Sequence, residues 1–322
     1  MKITRIEFTN YKAMQEFTLD LGNVNLLVGK NNSGKSTILS ALRILEYAMR
    51  TAQARTPTRV EDAEGKLTIG HHIPDTNLPT SIENVHTDYT DVSTLIAFTL
   101  ENGNRLFLHF PRDGGCILYW DAAKTIASAA HFRQQFPVQI RAVPVLGPLE
   151  QEELLVTDET VKRATGTPRA ARHFRNYWYR NRERFPDFRE MVESTWPGMS
   201  IAMPELHAED RRLVMFAAER RIDRELFWAG FGFQIWCQLL THLSRCEDAD
   251  LIVVDEPEVY LHPDVQRQLL PLLRTLGPSI LLATHSAAIL SGTQTDEILL
   301  VDKRQSGTSR LSKAEVASMY TG

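Results

Sequence analysis

A chain of 322 residues with 43% hydrophobic content carries enough apolar material for one large core or two ordinary ones, which excludes global disorder. A net charge of −4 excludes a global electrostatic pull toward nucleic acid, so any such contact has to come from a local patch. No apolar run approaches the roughly 20 residues that cross a bilayer. The three cysteines, Cys116, Cys237 and Cys246, form no C-x-x-C pair and no metal-ligand spacing, a pattern expected of buried thiols in a reducing cytoplasm.

Met1 to Arg5 alternates apolar and polar residues and reads as a first strand rather than a signal peptide. Ile3 to Phe8 and Phe17 to Leu21 are predicted strands, and the apolar run Val24 to Val28 a buried one. The next stretch, Gly29 to Thr37, matches G-x-x-x-x-G-K-[ST] at every fixed position. Ser36 to Met49 then has helical apolar spacing through Ile38, Leu39, Leu42 and Leu45. Strand, glycine loop and helix start are the context in which that pattern binds a nucleoside triphosphate. Backbone N–H groups of Gly29, Asn31, Asn32, Ser33, Gly34 and Thr37 curl around phosphates, and the helix N-terminus adds partial positive charge. Lys35 reaches the β- and γ-phosphates, and Ser36 holds Mg²⁺. The bland alternative is a glycine-rich turn that happens to precede a helix.

Residues 51–92 are rich in Thr, Pro, His and Asp and read as loops around short elements. Thr94 to Leu100, the turn Asn102-Gly103-Asn104, and Arg105 to Phe110 make a hairpin, with Cys116 to Trp120 as a third antiparallel strand. From residue 150 the composition turns helical and rich in Arg and Glu. Between Lys162 and Arg189 stand nine basic residues and two acids, with Tyr177, Trp178 and Tyr179 in the middle. Basic residues interleaved with aromatics suit DNA or RNA, where Arg neutralises phosphate and rings stack on bases. Two other readings stay open: contact with a partner protein, or a structural role in which Phe174 and Trp178 form a core stripe and the arginines pair with Glu150, Glu152 and Glu153.

Ala229 to Gln234 puts Gly230, Gly232 and Gln234 at the start of an apolar helix, where N–H groups can face a phosphate; close glycine packing is the plain alternative. Leu251 to Val254 is a buried strand ending in Asp255-Glu256-Pro257-Glu258. Asp255 is placed to face Mg²⁺ through water. Glu256 is placed to orient and deprotonate a water at the γ-phosphate, general-base work worth typically about 10²–10⁴ in rate. A solvated acidic turn after a core strand is the alternative. Asp264 to Leu276 reads as a helix that Pro271 would kink. Ile280 to Ala283 is another buried strand, followed by Thr284-His285-Ser286, and Glu297 to Val301 is a last one. His285 is positioned to return beside the paired acids and hydrogen-bond the γ-phosphate. Strand–helix alternation at both ends implies a parallel sheet with the middle inserted into it.

Phosphate loop, Gly-Phe-Gly-Phe-Gln, Asp-Glu-Pro-Glu and Thr-His-Ser occur in the order of the ATP-binding-cassette (ABC) ATPase heads, which the chain resembles over its first 50 residues and roughly its last 95. The wording D-E-P-E-V-Y-L-H-P with A-T-H-S is similar to the overcoming-lysogenization-defect (OLD) and RecF-like branch, often called simply AAA-family ATPases. The resemblance implies an α/β phosphate-loop head, with a phosphate-loop lobe at 1–50 and an antiparallel β subdomain at 51–149. A helical insertion at 150–226 and a C-terminal lobe at 227–322 complete it. It implies ATP and Mg²⁺ as ligands and a homodimer with nucleotide sandwiched between heads, Gly230, Gly232 and Gln234 touching the γ-phosphate held by the other copy. Departures from the family pattern are informative. The transporter signature L-S-G-G-Q is absent, and Leu261-His262 stands where transporter heads carry Leu-Asp, so His262 is a candidate for the dimer seam or a helix cap. The interval from Thr37 to Gly230 lacks sustained heptads, which excludes a long coiled coil. The stretch after His285 is too short for a Toprim nuclease domain, so nuclease or toxin activity is expected from a separate effector or from a region outside this sequence. The expectation is a cytoplasmic ATP-driven switch in anti-phage defence or genome maintenance; its rival is a non-catalytic ATP-binding scaffold holding a toxin or nuclease subunit.

Overall fold

The computed structural model describes residues 1–74, 78, 84–87, 92–164 and 167–310. Part of the stretch read as loops at 51–92 therefore lies outside the described residues.

The chain opens with an antiparallel pair, β1 (Ile3–Tyr11) and β2 (Met14–Asp20), then β3 (Val24–Val28) and the long helix α1 (Lys35–Ala54). Next come β4 (Thr58–Glu61), β5 (Leu67–Ile73), β6 (Thr94–Leu100), β7 (Arg105–Phe110) and β8 (Cys116–Asp121), then α2 (Ala129–Gln135) and β9 (Ile140–Ala142). A middle section holds β10 (Glu153–Leu154), α3 (Asp158–Ala164), α4 (Phe174–Arg180), α5 (Phe185–Thr195), β11 (Met199–Ile201), β12 (Glu205–His207), β13 (Arg212–Val214), β14 (Phe216–Glu219) and β15 (Ile222–Glu225). The last section is α6 (Phe231–Leu243), β16 (Leu251–Asp255), α7 (Pro263–Leu276), β17 (Ser279–Ala283), α8 (Ala287–Leu290), β18 (Ile298–Leu300) and β19 (Ser309–Arg310).

Two sheets dominate. One is antiparallel, in the order β2-β1-β6-β7-β8-β5-β4; the other has the order β19-β18-β3-β17-β16-β9 and is parallel apart from β19. The apolar runs of β3, β16 and β17 have no polar alternation because both of their faces are covered. Period-2 geometry sorts them: Leu27, Val253 and Leu281 face a core shared with α1 and the antiparallel sheet. Leu26, Val28, Ile252, Val254, Ile280 and Leu282 face a second core built with α4, α5, α6 and α7. Helix α1 thus runs between the two sheets, which is why its buried positions (Ile38, Leu39, Ala41, Leu42, Ile44, Leu45, Ala48) wrap most of its circumference.

The sequence segments do not map onto separate layers. Strands β1 and β2 belong to the antiparallel sheet with β4, β5, β6, β7 and β8, whereas β9 closes the edge of the parallel one. Residues 150–226 contain helices, as their composition predicts, and also two three-stranded sheets, β10-β13-β12 and β11-β14-β15. Strands of two to four residues are too short to show a period. Pro271 lies inside α7 without ending it. All three cysteines are buried. Among the described residues no helix is long and apolar enough to cross a membrane.

Candidate functional site

Because β3, β17 and β16 are adjacent and parallel, their carboxyl ends emerge on one edge of the sheet, the edge where open α/β sheets hold ligands. The phosphate loop leaves β3, Asp255 and Glu256 stand at the end of β16, and Thr284 and His285 follow β17. The loop is shaped by its backbone. A Cβ on Gly29 would lie 2.5 Å from the Val301 carbonyl oxygen, so only glycine fits there. Gly34, at φ 112°, and Asn32, at φ 62°, supply the left-handed turns. Asn31, Asn32 and Ser36 are exposed and Thr37 half-buried, while Ser33 is buried with its amide bonded to the Lys30 carbonyl at 3.2 Å. The first turn of α1 has no acidic residue, so its partial positive charge is left for an anion.

Lys35 is buried, and its Nζ donates to the carbonyls of Gly29 at 2.9 Å and Lys30 at 3.2 Å. Burial lowers its pKa; Glu256, Asp255 and Glu258 oppose that shift, which places all three acids within electrostatic reach of the ammonium. Burial raises the Asp255 carboxyl above the ordinary range and Glu256 adds to it; the Arg43 guanidinium pulls the other way, its Nη2 3.3 Å from Asp255 Oδ2. Ser36, Asp255 and Glu256 line one cavity of about 140 Å³ with Val143, Val145, Leu239 and Val259. A hydroxyl and a half-buried carboxylate lining one cavity are hard oxygen donors, the chemistry that Mg²⁺ takes. Among the described residues no group of three or more His, Cys, Asp or Glu side chains surrounds a common point.

Glu256 sits at φ 44°, strained for a side-chain-bearing residue, with its amide bonded to the Ala283 carbonyl at 2.9 Å. His285 Nε2 lies 3.4 Å from Glu256 Oε1. Of the acids in Asp255-Glu256-Pro257-Glu258, the first is paired with Arg43 and the last with Thr284 and His285 through hydrogen bonds. Glu256 faces His285 with 44% of its side chain accessible, and is the acid available to a water.

The signature-like residues sit differently. Gly230 caps α6, and a Cβ there would meet open space. Gly232 is required by packing, since a Cβ would approach the Tyr260 carbonyl oxygen to 2.8 Å. Gln234 does not offer its amide to solvent, contrary to the expectation from its place at a helix start. It is buried, Nε2 donating to the carbonyls of Phe227 at 2.7 Å and Ala229 at 3.0 Å, and Oε1 accepting from the Leu149 amide at 3.4 Å. His262 is exposed and caps α7, accepting from the Asp264 amide.

The arginine-rich segment folds back on itself. Lys162 pairs with Asp158, Arg163 with Glu159, Arg172 with Glu150 and Arg184 with Glu247. Arg175 is fully buried between Glu153 and Glu225, and Trp178 is a core residue stacked on Phe188 at 4.1 Å. These contacts are those of a structural role for the segment, down to Glu150 and Glu153 as partners.

Two basic residues escaped sequence reasoning. Arg43 reaches Asp255 across 212 positions, and Lys12, at the β1–β2 turn, donates to Ser40 of α1 at 3.0 Å beside it. The helical spacing of Arg43 from Ser36, two turns on, was the one available signal.

The family described as "AAA domain, putative AbiEii toxin, Type IV TA system" matches residues 24–291, from β3 through α8. The chain belongs to this AAA domain family. No curated protein matches the AAA domain chain in sequence. Its fold is that of the ATPase heads of SMC proteins. It is similar to an SMC head bound to the C-winged helix domain of ScpA (15% identity, TM-score 0.60, covering 98% of this chain and 99% of that one). It is also similar to the SMC head domain from Thermotoga maritima (13%, 0.51, covering 97% and 100%). A third is an Smc head with an extended coiled coil bound to the C-terminal domain of ScpA derived from Pyrococcus furiosus (13%, 0.58, covering 99% and 98%). The AAA domain thus has the fold of a phosphate-loop ATPase head, without a long coiled coil among the described residues.

Proposed function

We propose that the chain is a Mg²⁺-dependent ATP-binding and ATP-hydrolysing switch whose two copies close around nucleotide and whose ATP state regulates a separate effector. The observation that carries this reading is the convergence of Lys35, Ser36, Asp255, Glu256 and His285 on the carboxyl edge of one parallel sheet.

The phosphate loop and the start of α1 bind the triphosphate, Lys35 exchanging its two loop carbonyls for phosphate oxygens. Ser36 and Asp255 would hold Mg²⁺, which would supply charge neutralisation at the phosphate oxygens. Glu256 takes the proton of the attacking water as its oxygen bonds to the γ-phosphorus and the bond to the β–γ bridging oxygen breaks, leaving ADP and phosphate. His285 hydrogen-bonds the γ-phosphate and reports its presence to the loop after β17. The α6 N-terminus, headed by Gly230, faces the nucleotide of the second copy; Gly232 lets that helix pack close and Gln234 holds its first turn.

The family description names a toxin system, and in two similar structures the head is bound to a domain of ScpA. Both support a separate effector protein, a nuclease or toxin, as the target of the switch; anti-phage defence as the setting and the OLD/RecF-like branch as the lineage rest on the D-E-P-E-V-Y-L-H-P and A-T-H-S wording of the sequence. Contact with DNA or RNA through 162–189 has less support than the charge count suggests, since five of the nine basic residues (Lys162, Arg163, Arg172, Arg175 and Arg184) pair with carboxylates. Phosphate release and light scattering test the reading together. Glu256→Gln is expected to bind ATP, release phosphate at least about a hundredfold more slowly and accumulate dimers. Unchanged turnover in that variant would discard the assignment.

A further inference from the structure

The acid Glu258 reaches the loop after the neighbouring strand, β17. Its Oε1 accepts from the Thr284 hydroxyl at 2.8 Å and from the His285 backbone N–H at 2.6 Å. Its Oε2 is buried and, among the described residues, has no hydrogen-bond partner. A buried carboxylate oxygen left unpaired is costly, so the two strong bonds at Oε1 are what hold this group in place. A charged acceptor makes such bonds roughly twice as strong as a neutral one. A second tie joins the same loops. Gln266 Nε2 donates to the Glu258 carbonyl at 3.2 Å, and its Oε1 accepts from Ser286 Oγ at 2.5 Å.

Between these ties lies Glu256, strained at φ 44° and anchored through its amide to the Ala283 carbonyl. Strained backbone persists only where its surroundings fix it. The His285 backbone is fixed by Glu258, and its ring stands 3.4 Å from Glu256. The geometry points to Glu258 as a positioning residue that locks His285 against Glu256, so that the loops after β16 and β17 respond to the γ-phosphate as one unit. This deepens the ATPase reading and rests on it for the roles of Glu256 and His285. Glu258 touches neither water nor phosphate in that scheme; it acts through the histidine.

The test uses the full chain and three variants, Glu258→Ala, Glu258→Gln and Thr284→Val, with amide hydrogen exchange and ATP turnover as separate readouts. Glu258→Ala is expected to speed exchange of the His285 amide about tenfold, with Leu282 in β17 unaffected. Its kcat is expected to fall by up to about a hundredfold, with KM for Mg·ATP near the wild-type value. Glu258→Gln keeps a carbonyl oxygen for both bonds and is expected to restore exchange protection and most of the turnover. Thr284→Val removes the hydroxyl bond to Glu258, together with the one that the hydroxyl accepts from the Ser286 N–H, but leaves the bond from the His285 N–H to Glu258; it is expected to fall between, which keeps the test decisive should Glu258→Ala fail to fold. Unchanged His285 exchange in Glu258→Ala, or in Thr284→Val if the former does not fold, would overturn the tether. A Glu258→Gln as slow as Glu258→Ala would overturn it as well, since the carboxylate would then act by its charge. Exchange does not depend on hydrolysis: a wild-type protein without ATPase activity overturns the functional reading, while the exchange arm still decides the tether.

Discussion

Two regions of this chain concentrate charge, and the structure uses them in opposite ways. At the carboxyl edge of the parallel sheet, Lys35, Asp255, Glu256 and Glu258 arrive from distant segments, and burial shifts both Lys35 and Asp255 toward their neutral forms. In the arginine-rich segment the charges are more numerous, yet most meet a carboxylate or carbonyl of the segment itself or of the helix α6 end beside it. Charge density along a sequence therefore does not mark a site. What marks one is charge of both signs delivered to a common edge by elements far apart in the sequence.

The comparison is broken most easily at Lys35. Lys35→Ala removes the cation from the edge and is expected to weaken ATP binding about a hundredfold or more, measured by calorimetry, with little loss of thermal stability. A comparable affinity in the variant would mean that the edge does not bind phosphate. The matching change in the other region is Arg175→Ala. It leaves Glu153 buried without its ion pair and is expected to cost about 3–5 kcal/mol in denaturant unfolding, with the nucleotide affinity of the folded fraction unchanged.

A pH series sharpens the contrast. His242, buried on α6 behind the arginine-rich helices, is pushed down to about 3 by burial, with Arg245 adding to the shift. Its folded pKa lies below its unfolded value of 6.5, so between those values only the unfolded chain takes the proton. Stability from this residue is full above 6.5 and falls as pH drops toward 3, by at most about 1.4 kcal/mol per pH unit. His242→Gln is expected to flatten that slope in urea melts between those limits; an unaltered slope would show that His242 is not the group responsible. The smallest effect belongs to the exposed pairs Lys162–Asp158 and Arg163–Glu159. Replacing both basic residues with alanine is expected to change stability by less than about 1 kcal/mol and to leave nucleotide binding intact. A large drop would mean that this helix face has a partner.

How much of this was legible in the sequence depended on how local the cause was. The strands at Val24, Leu251 and Ser279 are readable because burial on both faces leaves an unbroken apolar run. The phosphate loop is readable because its glycines are demanded by backbone geometry at their own positions. The pairing of Arg43 with Asp255 was hidden, since only the stacking of α1 against β16 creates it. So was the internal use of Gln234, whose partners at Leu149, Phe227 and Ala229 belong to loops without a pattern. The two small sheets at 153–225 were hidden for a different reason: their strands hold two to four residues, and their composition matches that of the helices around them.

The central claim is that β3, β16 and β17 together hold one triphosphate–magnesium site, and calorimetric titration of ATP with and without Mg²⁺ into the wild-type protein and Asp255→Asn tests it most directly. The wild-type protein is expected to bind ATP more tightly when Mg²⁺ is present, and Asp255→Asn to bind it with equal affinity in both buffers. A variant that keeps the full magnesium enhancement would contradict the claim, because the end of β16 would then have no part in the site.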